Sequence, residues 1–217
     1  ATHVAAALLA EIPLGMMENP CRHGMEEVAR KVGLDFILNT VRNEQGQVVG
    51  IFAGDFVKAH REGAALARTT YLVDIPRPAD IVVVSSSPCD IDYWQAGKGL
   101  ISAYFAVRKG GILIFAAPCW EGLAHNHPRF RDWLALPLKE ILKRAKACSP
   151  EDREADLVSA DIAACNSRVR EKAGVFILTE GLSGEDSRTL GFERFDSVQA
   201  ALDEAFARIP GGTVGIL

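Results

Sequence analysis

Several features are missing from these 217 residues, and each absence excludes something. The five cysteines are odd in number and scattered, and no Cys-x-x-Cys pair occurs. That removes the usual marks of a disulfide framework or a paired-thiol metal site and favours free thiols in a reducing cytoplasm. No apolar run approaches the ~18–20 residues that span a bilayer. The N-terminus has no basic start followed by an apolar core, as a secretory signal would. An excess of basic residues is also absent. Lys and Arg total 24 against 28 Asp and Glu, for a net charge of −4, so neither nucleic acid nor an anionic membrane is an expected partner. There are no internal repeats and no low-complexity tracts. An initiator methionine is lacking too. Residue 1 is Ala in a helix-like start, and the chain stops on the apolar run Val214-Gly215-Ile216-Leu217, which reads as a piece cut from a longer protein.

What is present suits a globular chain with a real core, since 48% of residues are apolar and 24% charged. Asn19-Pro20 marks a helix start, with Asn as cap and Pro at the first helical position, and Gly33 ends that helix. LDFILNTVRN and QVVGIFAGD read as a hairpin around Asn43-Glu44-Gln45-Gly46, followed by a helix over about 55–67. Pro76-Arg77-Pro78 is a stiff linker, and the rhythm changes after it. IVVVSS (81–86), ILIFAA (112–117) and VFILTE (175–180) are continuous apolar runs of the kind buried on both faces of a parallel sheet. Between and after them come helices expected at about 92–108, 128–147, 151–172, 183–189 and 197–209, then a last strand, TVGIL. Strands alternating with helices predict a doubly wound, mostly parallel, Rossmann-like α/β domain over 78–217, preceded by a smaller helix-hairpin-helix region over 1–77.

In such sheets ligands sit beyond the carboxyl ends of the strands. Two loops qualify, SSSPCDID and APCWEGLAHNHPRF. With Asp92 as cap of the following helix, Gln95 and Lys98 fall three residues apart on one face, where a small anion would meet an amide, an ammonium and the helix N-terminus together. The competing reading is that Asp92 and Gln95 form a capping box and that Lys98 is an ordinary solvated lysine. Gly97-Lys98-Gly99 is not a phosphate loop, because Asp92 and Gly99 stand where that motif needs Gly and Ser or Thr. Cys119, His125 and His127 could supply a thiol- or metal-dependent hydrolase, although solvated histidines and a buried thiol are the favoured account of them. A non-catalytic module that binds a small acid is a further alternative. His60, on an amphipathic helix, reads as a core-edge residue.

The segments NPCRHGMEEVARKVGLDFILNTVRNEQGQVVGIFAGDFVKAHREG, PADIVVVSSSPCDIDYWQAGKGLISAYFAVRKGGILIFAAPCWEG and VFILTEGLSGEDSRTLGFERFDSVQAALDEAF together resemble the lactate racemase family. DIDYWQAGKGL is the most specific of the matching motifs. The resemblance implies that 1–77 is the remnant of a catalytic domain and that 78–217 is a domain closing over it. It further implies an isomerase that racemises or epimerises a 2-hydroxy acid by passing a hydride to a nickel-pincer nucleotide and back. Gln95 and Lys98 fall on the family's substrate-contacting pair. His3 lies about where a nickel-binding histidine falls, with His23 a second candidate. The family's acid-base histidines and tethering lysine belong upstream of residue 1, so the partner of this chain would be the N-terminal half of the same protein, and the chain alone would be inactive. Ser85-Ser86-Ser87-Pro88 replaces the usual Gly-Gly-Tyr-Pro, a departure that bears on the substrate or on the details of closure, so the expectation is a racemase or epimerase relative and not necessarily one acting on lactate.

Overall fold

Parallel strands covered on both faces need apolar side chains on both faces, and the apolar runs of this chain are used in that way. The structure, a computed structural model, describes residues 10–149 and 152–217. The described residues divide into two units, Ala10–Asp74 and Ile75–Leu217.

In the first unit, α1 (Pro20–Lys31) starts as expected, with the Asn19 side chain accepting the Arg22 N–H at 2.9 Å. Glu26 is buried on this helix and held by Arg22, Arg30 and Arg61. Strands β1 (Ile37–Arg42) and β2 (Val48–Gly54) pair antiparallel. Helix α2 (Lys58–Tyr71) begins and ends later than the expected 55–67. Asp55 is not in it, because its carboxylate accepts the N–H groups of Val57 and Lys58 and holds a turn ahead of the helix.

The second unit holds a five-stranded parallel sheet. Its strands are β3 (Ala79–Ser85), β4 (Val107–Ala116), β5 (Ala173–Leu178), β6 (Glu193–Arg194) and β7 (Val214–Ile216), in spatial order β6-β5-β4-β3-β7. Helices α3 (Tyr93–Ala106), α4 (Phe130–Leu134), α5 (Leu138–Ala147) and α6 (Leu157–Lys172) lie on one face, over Val82, Val84, Leu113, Phe115, Val175 and Ile177. Past β5 the short α7 (Gly184–Leu190) precedes β6. Helix α8 (Val198–Arg208) covers the other face, setting fully buried Ala201 and Ala205 one turn apart against Ile81, Ile112, Ile114 and Phe176. Small residues there let the helix approach the strands closely.

Some boundaries moved for visible reasons. The expected helix over 128–147 is two helices, because Pro137 stands as the cap of α5. Helix α6 begins at Leu157 rather than 151, where Asp156 accepts the Ser159 N–H. Strand β4 follows α3 with no loop and then bulges, since Ala79 pairs with Val107 but Ile81 with Ile112. Beside the bulge, Asp80 accepts from the backbone N–H of Thr213, from Arg108 and from the Thr213 hydroxyl, and these contacts hold its carboxyl well below the usual carboxylate range. They tie β7 to β3. Among the described residues, no helix is long and apolar enough to cross a membrane.

Two consequences can be measured. Gly181 follows β5, and a Cβ on it would stand 1.9 Å from the Cys119 carbonyl oxygen. Gly181→Ala is therefore expected to cost about 1–3 kcal/mol in urea melts, and an unchanged midpoint would mean that the two loops do not touch. On α6 the Asp161 carboxyl is pushed up to about 7 by burial. A carboxyl raised on folding binds a proton that the unfolded chain has released, so it makes stability fall as pH rises from its ordinary value toward 7. Asp161→Asn is expected to flatten that decline and raise the melting temperature at pH values above about 7. A variant that melts with the wild-type pH profile would refute this.

Candidate functional site

Beyond the ends of β3 and β4 the two chains do not part. Four backbone bonds continue the pairing. Cys119 N–H donates to Asp90 O (2.9 Å), Glu121 to Ile91 (2.8 Å), Tyr93 to Gly122 (2.9 Å) and Trp94 to Leu123 (2.9 Å). A third loop joins them, since Gly181 N–H and the Thr179 hydroxyl both donate to Pro118 O, at 2.8 and 2.9 Å.

This pairing corrects one expectation. The first N–H groups of a helix are its natural anion donors, but in α3 they are already engaged. Tyr93 and Trp94 donate to the β4 loop, Gln95 N–H donates to the Asp92 carboxylate at 2.8 Å, and Ala96 N–H bonds Asp92 O. The helix N-terminus is capped from within and has no donor left for a ligand.

The side chains remain. Asp92 caps Gln95, but the reciprocal half of a capping box is not made. Instead the Gln95 side-chain oxygen accepts from the Lys98 ammonium. The Gln95 amide protons and the other ammonium protons of Lys98 are left as donors. Lys98 is exposed, and among the described residues it has no carboxylate partner. The buried stripe of α3 (Tyr93, Ala96, Leu100, Ala103 and Tyr104) runs along another side of the helix, so the pair sits on its open flank.

That flank borders a cleft of about 150 Å³ between α3 and α6, with Trp94, Gln95 and Lys98 on one wall and Ile162, Cys165 and Asn166 on the other. Buried Tyr93 donates its hydroxyl to the Asn166 side-chain oxygen at 2.6 Å, and the Asn166 amide donates to Leu190 O at 3.1 Å. The Trp94 indole stacks on the His127 ring, with centroids 3.6 Å apart and planes 5° off parallel, and its other contact is edge-on to Phe130. His127 Nδ1 lies 3.8 Å from Asp156. The α6 residues of this cleft were missed by sequence reasoning. They stand far along the chain in a helix with no motif.

Cys119, His125 and His127 do not assemble. Cys119 is fully buried, and its thiol is pushed up to about 12 by burial and then by Asp92 and Asp90, which makes it a poor nucleophile. His125 is exposed, and His127 is engaged by Trp94. Among the described residues, no three His, Cys, Asp or Glu side chains converge as a metal site. His23 pairs with Glu18 at 3.0 Å and gathers no further ligands. His3 lies outside the described residues. His60 sits at a core edge, where burial and then Arg22 and Arg61 push its imidazole below the ordinary histidine range.

The match to known proteins covers the unit that carries this cleft. A family model described as the lactate racemase C-terminal domain matches residues 75–212. The lactate racemase of Thermoanaerobacterium thermosaccharolyticum is 36% identical over 122 residues, which is 55% of this chain and 28% of that protein. The lactate racemase of Lactiplantibacillus plantarum is 32% identical over 119 residues, 51% of this chain and 28% of that protein. The solved apoprotein of the Thermoanaerobacterium enzyme superposes with a TM-score of 0.82 at 24% identity, covering all of this chain and 52% of that one, a likeness of fold. The chain thus spans about half the length of that solved relative. The family is shown by the profile match across residues 75–212, and this chain belongs to the lactate racemase family through its C-terminal domain.

Proposed function

We propose that this chain is the C-terminal, substrate-closing part of a cytoplasmic racemase or epimerase of 2-hydroxy acids. The observation that carries the reading is the Gln95–Lys98 pair, a cation without a carboxylate partner among the described residues, joined to an amide on the open flank of α3. In this reading Lys98 neutralises the substrate carboxylate and Gln95 donates from its amide to orient it. Together they hold the α-carbon in place for chemistry performed elsewhere, a positioning role. Residues 1–77 are then the remnant of a catalytic domain and 78–217 the closing domain.

A second observation supports a larger whole. The hairpin turns Leu38 and Ile51 outward, each 65% exposed. The hairpin's other face packs on α2, with Gly50 against Leu66 and Gly63 against Phe52, so among the described residues only the face of Leu38 and Ile51 is bare, and it is apolar. The upstream half of the same protein is the partner that this reading supplies.

The resemblance also implies a nickel-pincer nucleotide, which would supply hydride transfer when bound. His3, the first histidine that the resemblance offers to the nickel, lies outside the described residues, and His23, the second, pairs with Glu18. The rest of the cofactor's seat belongs to the upstream half in this proposal.

In the complete, cofactor-loaded protein, Lys98→Ala is expected to lower kcat/KM for the substrate by about 10- to 100-fold, the worth of a hydrogen bond to a charged group. Lys98→Arg should restore part of it. Wild-type turnover in Lys98→Ala would overturn the assignment. The chain alone is expected not to racemise lactate, and measurable racemisation by it would show that the catalytic groups lie within these residues. The thiol-hydrolase alternative has its own test. Native Cys119 is expected to resist iodoacetamide at pH values of about 8 and to react once the chain is denatured. Rapid labelling of Cys119 itself in the native chain, located by peptide mapping, would revive that alternative.

A further inference from the structure

The proposed substrate reading leaves open what the acid carries on its α-carbon, and the cleft beside Gln95 and Lys98 bears on that. We propose that the α3–α6 cleft is a side-chain subsite that selects 2-hydroxy acids with an apolar side chain of up to about isobutyl or benzyl size. The inference rests on the carboxylate being held at Lys98 and Gln95.

Three observations carry it. First, the cleft is continuous with the pair, because Gln95 and Lys98 line its mouth while Trp94, Ile101, Ile162 and Val169 line its walls. A carboxylate held at the mouth sets the rest of a small acid at the opening of this space. Second, the volume of about 150 Å³ matches that of an apolar cavity known to accept benzene, far more than the methyl of lactate needs. Third, beyond the mouth the walls hold no charged side chain. The Asn166 side chain already bonds Tyr93 and Leu190 through both of its ends, and Tyr93 spends its hydroxyl on Asn166. Lys98 is the one cation among the described lining residues, and none of them is acidic. A second carboxylate on the substrate would therefore be desolvated without a charged partner, which costs binding. The wall is also preformed, since Trp94 is fixed by its stack on His127 and its edge contact with Phe130, so no ordering of the indole opposes ligand entry.

The test uses the chain itself and four acids: lactate, 2-hydroxyisocaproate, malate and 3-phenyllactate. Dissociation constants and the methyl ¹³C shifts of Ile101 and Ile162 are read by NMR titration. With roughly fourfold gained per buried methylene, 2-hydroxyisocaproate is expected to bind at least about tenfold tighter than lactate. It should shift both isoleucine methyls, and malate should bind no better than lactate. Ile162→Trp, which fills the cleft, is expected to bring 2-hydroxyisocaproate down to the affinity of lactate. Ile101→Ala, which enlarges the cleft without crowding it, serves as the second variant and is expected to favour 3-phenyllactate. Equal affinity for lactate and 2-hydroxyisocaproate, both weakened by Lys98→Ala, would overturn the subsite and leave the carboxylate role standing. A strong preference for 2-hydroxyisocaproate that Lys98→Ala does not change would instead overturn the role of Lys98. No saturable shift with any acid would overturn both.

Discussion

The parallel pairing that runs on past the ends of β3 and β4 is the constraint on which the site depends. Strand pairing normally stops where the strands do, and the loops beyond go separate ways. Here Asp90, Ile91, Tyr93 and Trp94 bond in sequence to Cys119, Glu121, Gly122 and Leu123. The start of α3 is therefore fixed to the β4 loop rather than floating at the end of its own loop. Because Pro118 also accepts from Gly181 and Thr179, three loops at the carboxyl edge of the sheet form one backbone-bonded layer. Gly181 is part of that layer because a side chain there would collide with the Cys119 carbonyl.

This layer decides what kind of ligand chemistry is possible. A free helix N-terminus offers several aligned N–H groups and the positive end of the helix dipole, which suits phosphate. In α3 those groups are bonded to loop carbonyls, and the Asp92 carboxylate sits at the same end. What is left is a side-chain site with a single flexible cation and an amide tied to it. Such a site suits one carboxylate on a small molecule better than a nucleotide, and it leaves discrimination to whatever shape stands beside it.

How much of this was legible in the sequence follows from how local each feature is. The three β-branched runs announced the sheet because burial on both faces leaves a mark on every residue of a strand, and IVVVSS, ILIFAA and VFILTE all became central strands. Asn19-Pro20 announced a helix start because capping is a matter of adjacent residues. The Gln95–Lys98 pairing was half legible. Their spacing put them on one face, but the choice between a capping box and a lysine partner depended on side-chain packing. Strand β6 is only two residues long and too short for any periodic signal. The continued loop pairing, the Trp94–His127 stack and the far wall of the cleft were not legible, since each joins residues about thirty or more positions apart without a motif at either end.

That difference in legibility has a physical source within the cleft. Asn166 bridges the Tyr93 hydroxyl to the Leu190 carbonyl, and removing it would strand two buried polar groups at a cost of about 1–3 kcal/mol each. The bridge sets the position of α6 against α3 at one point. Around that point the lining is aliphatic or a neutral thiol, and apolar side chains of similar volume exchange at little cost to a fold. In the proposed reading, the carboxylate end of the cleft is thus written in a short motif. Its selective end is written in residues such as Ile101, Ile162 and Cys165, which can change size without disturbing the bridge. A fold built this way can keep one way of holding an acid while altering which acid it holds.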